Sequence, residues 1–290
     1  MGAQYRAFKH YEPSEAAAII FAVVFGILLA AHILQSVRAK IYYLWPLILA
    51  TTLECAGYIL REYTIHHRME KAPSVIGQVF IIIAPACLAA AMYMIVERII
   101  LQVGKVYCSL RPSWITPIFV GFDVVSIGLQ SIGATLLFNN EDDLTELKKA
   151  RKILIAGLLV QLVAFTVFLV LAWLFDRKAV KGSPSKMVIV RPLMTAFYVT
   201  GALVMIRSIY RAIEFITVNF NVIPPTGYFF YVEWAYYVLD ALPIALATAV
   251  YNLAFPSKYL REQNLESNPK YEQVPLSSTD EGNAKADNQV

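Results

Sequence analysis

Charged side chains are scarce in this 290-residue sequence, at 16% of the residues, whereas hydrophobic side chains make up 58%. The mean hydropathy is +0.55. A soluble domain of this length needs more polar residues to cover its surface. The composition therefore excludes an ordinary soluble protein and predicts a polytopic membrane protein. The net charge of +4 matches basic loops beside an anionic membrane leaflet, and nothing in the sequence suggests binding to nucleic acid.

Residues that form disulfides or bind metals are also few. The three cysteines are an odd number, and two of them lie in apolar runs, so no disulfide framework is predicted. The four histidines form no spaced set with acidic residues inside the apolar runs, which argues against a catalytic zinc site. The adjacent pair His66 and His67 is interpreted as part of a solvated loop.

Nucleotide-binding and hydrolase motifs are missing. Lys105 follows a glycine but lacks the upstream glycine of a phosphate-binding loop. There is no Gly-x-Ser-x-Gly sequence of the kind that presents a nucleophilic serine. We therefore predict no cofactor and no enzymatic activity.

Seven long apolar runs are present, and a helix needs roughly 20 apolar residues to cross a bilayer. Backbone groups in lipid must be hydrogen-bonded within the segment, so the runs predict an all-α bundle of seven transmembrane helices. The sixth run is the weakest, because its charge-free part ends at Ile206. The predicted helices are Ala16–Leu34, Ile41–Leu60, Val75–Val96, Pro112–Phe138, Ile153–Phe175, Pro192–Ile216 and Tyr228–Phe255.

The distribution of lysine and arginine predicts the orientation of the chain. One side of the predicted bundle carries twelve of these residues and the other side nine, which places the N-terminus outside and the C-terminus in the cytosol. The basic loop expected between Arg177 and Arg191 contributes most of the difference. From Lys258 the sequence is too polar to bury a core, so residues 258–290 are predicted to be a disordered cytosolic tail after a membrane domain of residues 1–257.

Four of the predicted helices carry polar residues at steps of three and four, which puts each set on one helix face. Ionisable groups inside a membrane cost a few kcal/mol and therefore face the interior of a bundle. We expect the four faces to line one polar chamber, and apart from Ser126 we take these residues as candidate substrate-binding residues. Ion pairs that only hold the bundle together remain the alternative. The sets are Glu54, Tyr58 and Arg61; Asp123, Ser126 and Gln130; Arg207, Arg211 and Glu214; and Glu233, Tyr237 and Asp240.

The charges in these four sets do not balance. Five acids face three arginines, so pairing leaves two acids over. Asp123 and Asp240 lie deepest in the predicted spans and farthest from an arginine, and we expect these two to remain unpaired. A buried acid without a partner is available to a proton or to the amine head of an amphiphile.

Local spacing makes two further predictions about pairing. Arg211 and Glu214 are three residues apart and can pair within their own helix. Glu54 and Arg61 are two turns apart, roughly 10 Å along the axis, so each must find its partner on another helix. Proline at positions 85 and 243 lies within a predicted span, where it frees a carbonyl group and favours a bend.

The ordered set of motifs from the first helix to Pro256 resembles the fungal lipid-translocating exporter family of seven-helix membrane proteins. This family includes the aminocholesterol-resistance protein and the sphingoid long-chain-base translocator. The matching motifs are Glu54-Cys-Ala-Gly-Tyr-Ile-Leu-Arg61, Pro85 with Ala89, Ala90 and Tyr93, Glu97-Arg98-Ile-Ile, Phe119 to Asp123 with Ser126 and Gln130, Gly157 with Gln161, Ile206-Arg-Ser-Ile-Tyr-Arg211 with Glu214, and Glu233 with Tyr237, Asp240 and Pro243.

The resemblance implies a plasma-membrane protein whose partners are membrane lipids and an amphipathic small-molecule substrate. It implies export of amphipathic lipids or lipophilic toxic compounds, with no catalytic residue. A seven-helix sensor that signals through its cytosolic loops and tail is the main alternative. An intramembrane lipid hydrolase that uses Asp123 or Asp240 is a third.

Overall fold

Long helices make up almost all of the residues that this computed structural model describes. The structure describes residues 13–108, 110–139, 143–218, 227–228 and 232–260. Within these ranges there is no β-strand, as the all-α prediction requires. Apart from Lys258, Tyr259 and Leu260, the predicted cytosolic tail lies outside the described residues.

Seven long helices follow one another in the described residues. They are α1 (Glu15–Ala39), α2 (Trp45–His66), α3 (Lys71–Val103), α4 (Pro112–Asn139), α5 (Leu144–Gly182), α6 (Pro184–Thr217) and α7 (Glu233–Leu253).

Six of these helices, all except α2, are long and apolar enough to cross a membrane. The 22 residues of α2 are sufficient in length, at about 1.5 Å per residue. Its polar residues, among them Glu54, Arg61 and Glu62, lower its hydropathy. The protein is therefore a multi-pass membrane protein, whereas the count of seven crossings and the orientation remain predictions.

Helices α5 and α6 continue well beyond the apolar runs that predicted them. They contain 39 and 34 residues, and Ser183 alone separates them. The prediction of a long loop between Arg177 and Arg191 is therefore wrong. Lysine, arginine and alanine are good helix formers in water, and Pro184 occupies the first position of α6, where its missing N–H has no helical partner to lose.

Close helix contacts hold α2 against α3 and α4 against α5. A Cβ atom on Gly57 of α2 would lie 2.6 Å from Ile81 Cγ1 of α3. A Cβ atom on Gly133 of α4 would lie 2.6 Å from Leu154 Cγ of α5. Small residues at such crossings let two helix backbones approach, which is how helices pack when lipid tails provide no hydrophobic driving force.

The middle of α7 is a π-helical turn, Tyr237–Ala241. The N–H group of Leu242 donates to the carbonyl oxygen of Tyr237, five residues earlier. Pro243 follows directly and cannot donate a backbone hydrogen bond. The bend that Pro243 favours remains a prediction, whereas the π-helical turn places Asp240 in backbone of a kind that is frequent at functional sites.

Candidate polar site

Asp240 lies between two arginines of α6. Arg211 Nε donates a 3.0 Å hydrogen bond to Asp240 Oδ1. Arg207 Nε lies 2.9 Å from the same oxygen, as an ion pair without an aligned hydrogen bond. The expectation that Asp240 is unpaired is wrong, because a position along α7 does not reveal which face of α6 crosses it.

The same two arginines have further acceptors. Arg211 Nη1 donates to Glu214 Oε2 at 3.0 Å, which confirms the pairing predicted within α6. Arg207 Nη2 donates to the carbonyl oxygen of Ile81 at 2.8 Å. Ile81 precedes Pro85 by four residues, so this is the carbonyl that Pro85 deprives of its helical N–H donor. A proline in α3 thus provides an acceptor for an arginine in α6.

Glu54 is the acid that this network leaves without a partner. It is 1% exposed, and neither carboxylate oxygen accepts a hydrogen bond in the described part of the chain. Arg207, Arg211 and Asp240 are close enough to act on it electrostatically. Burial makes the ionised form of this acid costly, because no hydrogen bond from the described residues replaces water at its oxygens. It is therefore the group in this site that is most readily stabilised by a proton or by a cation.

Arg61 and Glu233 form a second ion pair at the end of the bundle where α2 ends and α7 begins. Arg61 Nη2 lies 3.1 Å from Glu233 Oε1, and Arg61 Nε donates to the hydroxyl of Tyr237 at 3.1 Å. The backbone N–H group of Ser14 donates to Glu233 Oε2 at 2.8 Å. Arg61 thus finds its partner on another helix, as predicted, whereas the same prediction is wrong for Glu54, which has no hydrogen-bond partner in the described residues.

Tyr236 connects the two groups of charges. Its ring centroid lies 4.6 Å from Arg61 Cζ on one helix and 5.6 Å from Arg211 Cζ on another. Guanidinium groups at these distances are attracted by the ring. Sequence analysis missed Tyr236, because an aromatic residue next to Tyr237 carries no charge that would draw attention to it. The only feature of the sequence that could have identified Tyr236 as a site residue is its position next to the candidate residue Tyr237.

Tyr58 contributes an aromatic wall. Its ring stacks on Phe25 with centroids 5.6 Å apart and on Phe21 with centroids 5.5 Å apart. Phe21 also stacks on Tyr237, at 5.4 Å. The predicted stripe on α2 therefore has charged groups at its ends and a ring packed against α1 between them.

Asp123 and Gln130 lie in a separate polar group among α3, α4 and α5. Asp123 Oδ2 accepts a 2.9 Å hydrogen bond from the Tyr93 hydroxyl, while Oδ1 is buried without a partner in the described residues. Gln130 Nε2 donates to Gln161 Oε1 at 3.0 Å and to Ser126 Oγ at 2.8 Å. The described contacts do not join this group to Glu54 or Asp240.

The expectation that the polar faces of helices 2, 4, 6 and 7 meet is therefore wrong for helix 4, and a chamber among the other three remains a prediction. The group around Asp240 and the Arg61–Glu233 pair are formed by side chains of α2, α6 and α7. Helix α3 adds the Ile81 carbonyl to the group around Asp240. The count of two surplus acids agrees with the structure, although one of the two is Glu54 instead of Asp240. In the described residues neither Glu54 nor Asp123 forms an ion pair or a hydrogen bond with an arginine.

Comparison of the sequence with known proteins identifies the family to which the chain belongs. The profile of the family described as RTA1-like protein matches residues 47–263, which is most of the chain. The chain belongs to the RTA1-like family. The match includes α2 to α7, and so it contains every candidate residue of the polar groups, while α1 precedes it.

Relatives in this family are fungal proteins of modest identity. A lipid-translocating exporter-like protein RTA1 of Leptosphaeria maculans is 28% identical over 73% of this chain and 42% of its own length. Protein RTA1 of Saccharomyces cerevisiae is 30% identical over 73% of this chain and 65% of its own length. The sphingoid long-chain base transporter RSB1 of the same species is 23% identical over 82% of this chain and 70% of its own length.

The chain thus spans less than two thirds of the first two of these relatives. No solved structure matches the chain. Membership of the RTA1-like family agrees with the resemblance found in the sequence.

Proposed function

We propose that this protein exports amphipathic lipids or lipophilic toxic compounds, such as sphingoid bases, across the plasma membrane. It does so with seven membrane-spanning helices and an outside N-terminus. Support comes from its family, in which relatives are named as exporters or lipid transporters. These names favour transport over a sensor or a hydrolase.

Glu54 is the observation on which the proposed mechanism depends. Its carboxylate is buried beside the Arg207–Asp240–Arg211 group and accepts no hydrogen bond in the described residues. A buried charge without a partner costs several kcal/mol. Binding of an amine head group or a proton at Glu54 removes that cost. Release of the same cation restores it, so the site can bind and release its ligand in turn.

The arginines have a supporting role in this proposal. Arg207 and Arg211 hold Asp240, and Arg61 holds Glu233, so these acids keep fixed positions when the ligand arrives. Tyr236 and Tyr237 contact Arg61 and provide rings beside the ligand. Asp123 and Gln130 would then contact the ligand, or its proton, at another stage of its passage.

The π-helical turn of α7 offers a place for movement. Asp240 lies in this turn, three residues before Pro243, where the helical hydrogen bonds are already irregular. A shift of this turn would move Asp240 relative to the α6 arginines without breaking a regular helix. Such a shift would alter the field at Glu54 and so couple ligand binding to a change of conformation.

Flux measurements in vesicles would test the proposal. Full-length protein is reconstituted, and movement of a labelled sphingoid base is followed with and without a proton gradient. We expect Glu54→Gln to reduce the flux at least tenfold, because the amide cannot take up a proton and gives no ion pair with an amine. Glu97→Gln is the matched control, since Glu97 accepts a 2.6 Å hydrogen bond from Thr116 outside the polar groups.

Equal flux by wild type and Glu54→Gln would remove Glu54 from the mechanism. A wild-type protein that moves neither sphingoid bases nor other amphiphiles under any gradient would contradict the transport proposal itself.

A further inference from the structure

A groove with a volume of about 280 Å³ runs between α1 and α2 on the surface of the bundle. The side chains of Ile19, Ala22 and Val23 line it on α1, and Ile59 and Glu62 line it on α2. Ile19, Val23 and Ile59 are 44–55% exposed. In a membrane these apolar walls face lipid, so the groove is open to hydrocarbon chains from the bilayer.

Acidic groups mark the polar end of this groove. Glu62 Oε1 lies 3.0 Å from His66 Nε2, and the same nitrogen lies 3.5 Å from Glu15 Oε1. The second oxygen, Glu62 Oε2, is shielded from solvent and accepts no hydrogen bond in the described residues. Among the described side chains of this cluster, two carboxylates face one imidazole, which makes the cluster negative. The groove thus has the charge that complements a cation attached to a hydrocarbon chain.

We propose that this groove binds a long-chain amine from the lipid. Its hydrocarbon chain lies along Ile19, Val23 and Ile59, and its ammonium group pairs with the Glu62 carboxylate, whose side chain turns to present Oε2 to the groove. The volume lies just below the roughly 300–1,000 Å³ typical of small-molecule pockets, so the groove holds only the part of an amphiphile next to its head group. The inference rests on the proposed transport of amphipathic lipids and gives that process a lateral site on α1 and α2.

A metal ion is the competing occupant. Ligand atoms of Glu15, Glu62 and His66 lie within 4.8 Å of one another, and imidazole with carboxylates suits zinc. The apolar walls that continue from Glu62 to Ile19 would contribute nothing to binding a metal ion, whereas they can contact a hydrocarbon chain. The groove therefore favours the amine, and zinc binding becomes an outcome of the test.

Photolabelling would locate the amine. Purified full-length protein in phosphatidylcholine vesicles is exposed to a long-chain alkylamine with a diazirine in its chain, and labelled peptides are identified. The matching long-chain alcohol is the uncharged control probe. We expect saturable labelling of α1 and α2 by the amine and weak labelling by the alcohol, because the alcohol lacks the charge that Glu62 attracts.

One pair of variants tests the carboxylate. Glu62→Gln should weaken amine binding by roughly tenfold or more, since a hydrogen bond between charged groups is lost. Glu70→Gln is its matched control, because Glu70 is exposed and receives its hydrogen bond from Tyr63, at 3.2 Å. The weakening should not appear in Glu70→Gln. Equal labelling of the wild type and Glu62→Gln would overturn the proposal.

A second pair tests the groove without touching a charge. Ala22→Phe fills the groove and should reduce labelling, whereas Ala30→Phe places the same ring on an exposed position of α1 outside it. Labelling that survives Ala22→Phe would contradict the assigned position of the chain.

The remaining outcomes separate this inference from the proposed function. Sphingoid-base flux without charge-dependent labelling would overturn the groove and leave transport standing. Charge-dependent labelling without flux of any amphiphile would support the groove as a binding site and contradict transport. Saturable Zn²⁺ binding that His66→Ala abolishes, without labelling by the amine, would overturn the amine and make the cluster a metal site.

Discussion

Asp240 and Glu54 are two buried carboxylates of the same site, and they differ in whether an arginine pairs with them. Asp240 lies 2.9 Å and 3.0 Å from two arginine nitrogens, whereas Glu54 accepts no hydrogen bond in the described residues. Both are 1% exposed. Loss of one member of a buried ion pair leaves its partners uncompensated, whereas loss of a charge that has no partner relieves the fold. The two acids therefore make opposite predictions about stability.

Asp240→Asn should destabilise the protein by about 3–5 kcal/mol, because Arg207 and Arg211 would lose their shared acceptor charge. Glu54→Gln should leave the stability unchanged or raise it slightly. Thermal unfolding of the two purified variants and the wild type in the same detergent would measure both changes in stability. A Glu54→Gln variant that melts well below the wild type would mean that Glu54 has a structural partner.

At the scale of the helix, irregular backbone and close crossings place the site residues. Pro85 leaves the Ile81 carbonyl without a helical donor, and Arg207 donates a hydrogen bond to it. Gly57 lets α2 approach α3 next to Glu54. These features are local in sequence, yet their effect is to orient side chains of other helices.

Replacement of Pro85 tests the first of these features. Pro85→Ala restores an N–H group that can compete with Arg207 for the Ile81 carbonyl. We expect sphingoid-base flux to fall while thermal stability holds or rises, since proline inside a helix costs about 3 kcal/mol. Pro117→Ala, in α4, is the matched control and should leave the flux intact. Unchanged flux in Pro85→Ala would show that the proline only bends α3.

Replacement of Gly57 tests the helix crossing. A Cβ atom there would lie 2.6 Å from Ile81 Cγ1, so Gly57→Ala should cost about 1–3 kcal/mol of stability through overpacking. A Cβ atom on Gly121 meets nothing within 4 Å, so Gly121→Ala should be neutral or stabilising by up to about 1 kcal/mol. Equal melting temperatures for the two variants would contradict the close contact of α2 and α3.

At the scale of the whole molecule, the candidate site and its described contacts lie before Leu260. The last described residues still pack, because Leu260 is buried and the Tyr259 carbonyl accepts from Gln102 at 3.3 Å. A functional boundary after Leu260 is therefore better supported than one after 257. A transporter should work without the residues beyond it, whereas a sensor that signals through its tail should not.

Truncation after Leu260 tests this distinction. We expect the truncated protein to keep its flux in vesicles and, at matched surface abundance, to protect cells against a toxic sphingoid base as well as the full-length protein does. Loss of resistance with flux intact would favour signalling through the tail. Loss of both at normal abundance would contradict the boundary.

Composition and helical spacing alone determined the all-α membrane class, most helix positions, the Arg211–Glu214 pair and the surplus of two acids. These follow from the cost of polar backbone in lipid, from 3.6 residues per turn and from charge counting. Helix ends in water were predicted poorly, because α5 and α6 continue where apolar residues stop.

Tertiary structure alone decided which acid has no partner. It placed Asp123 and Gln130 with α3 and α5, put Tyr236 between two arginines, and joined Glu15, Glu62 and His66 across α1 and α2. Ion pairs between helices depend on which faces meet and at what depth. That arrangement is a property of the packed bundle, because residues on different helices are far apart in the sequence and the rotation of each helix is set by its neighbours.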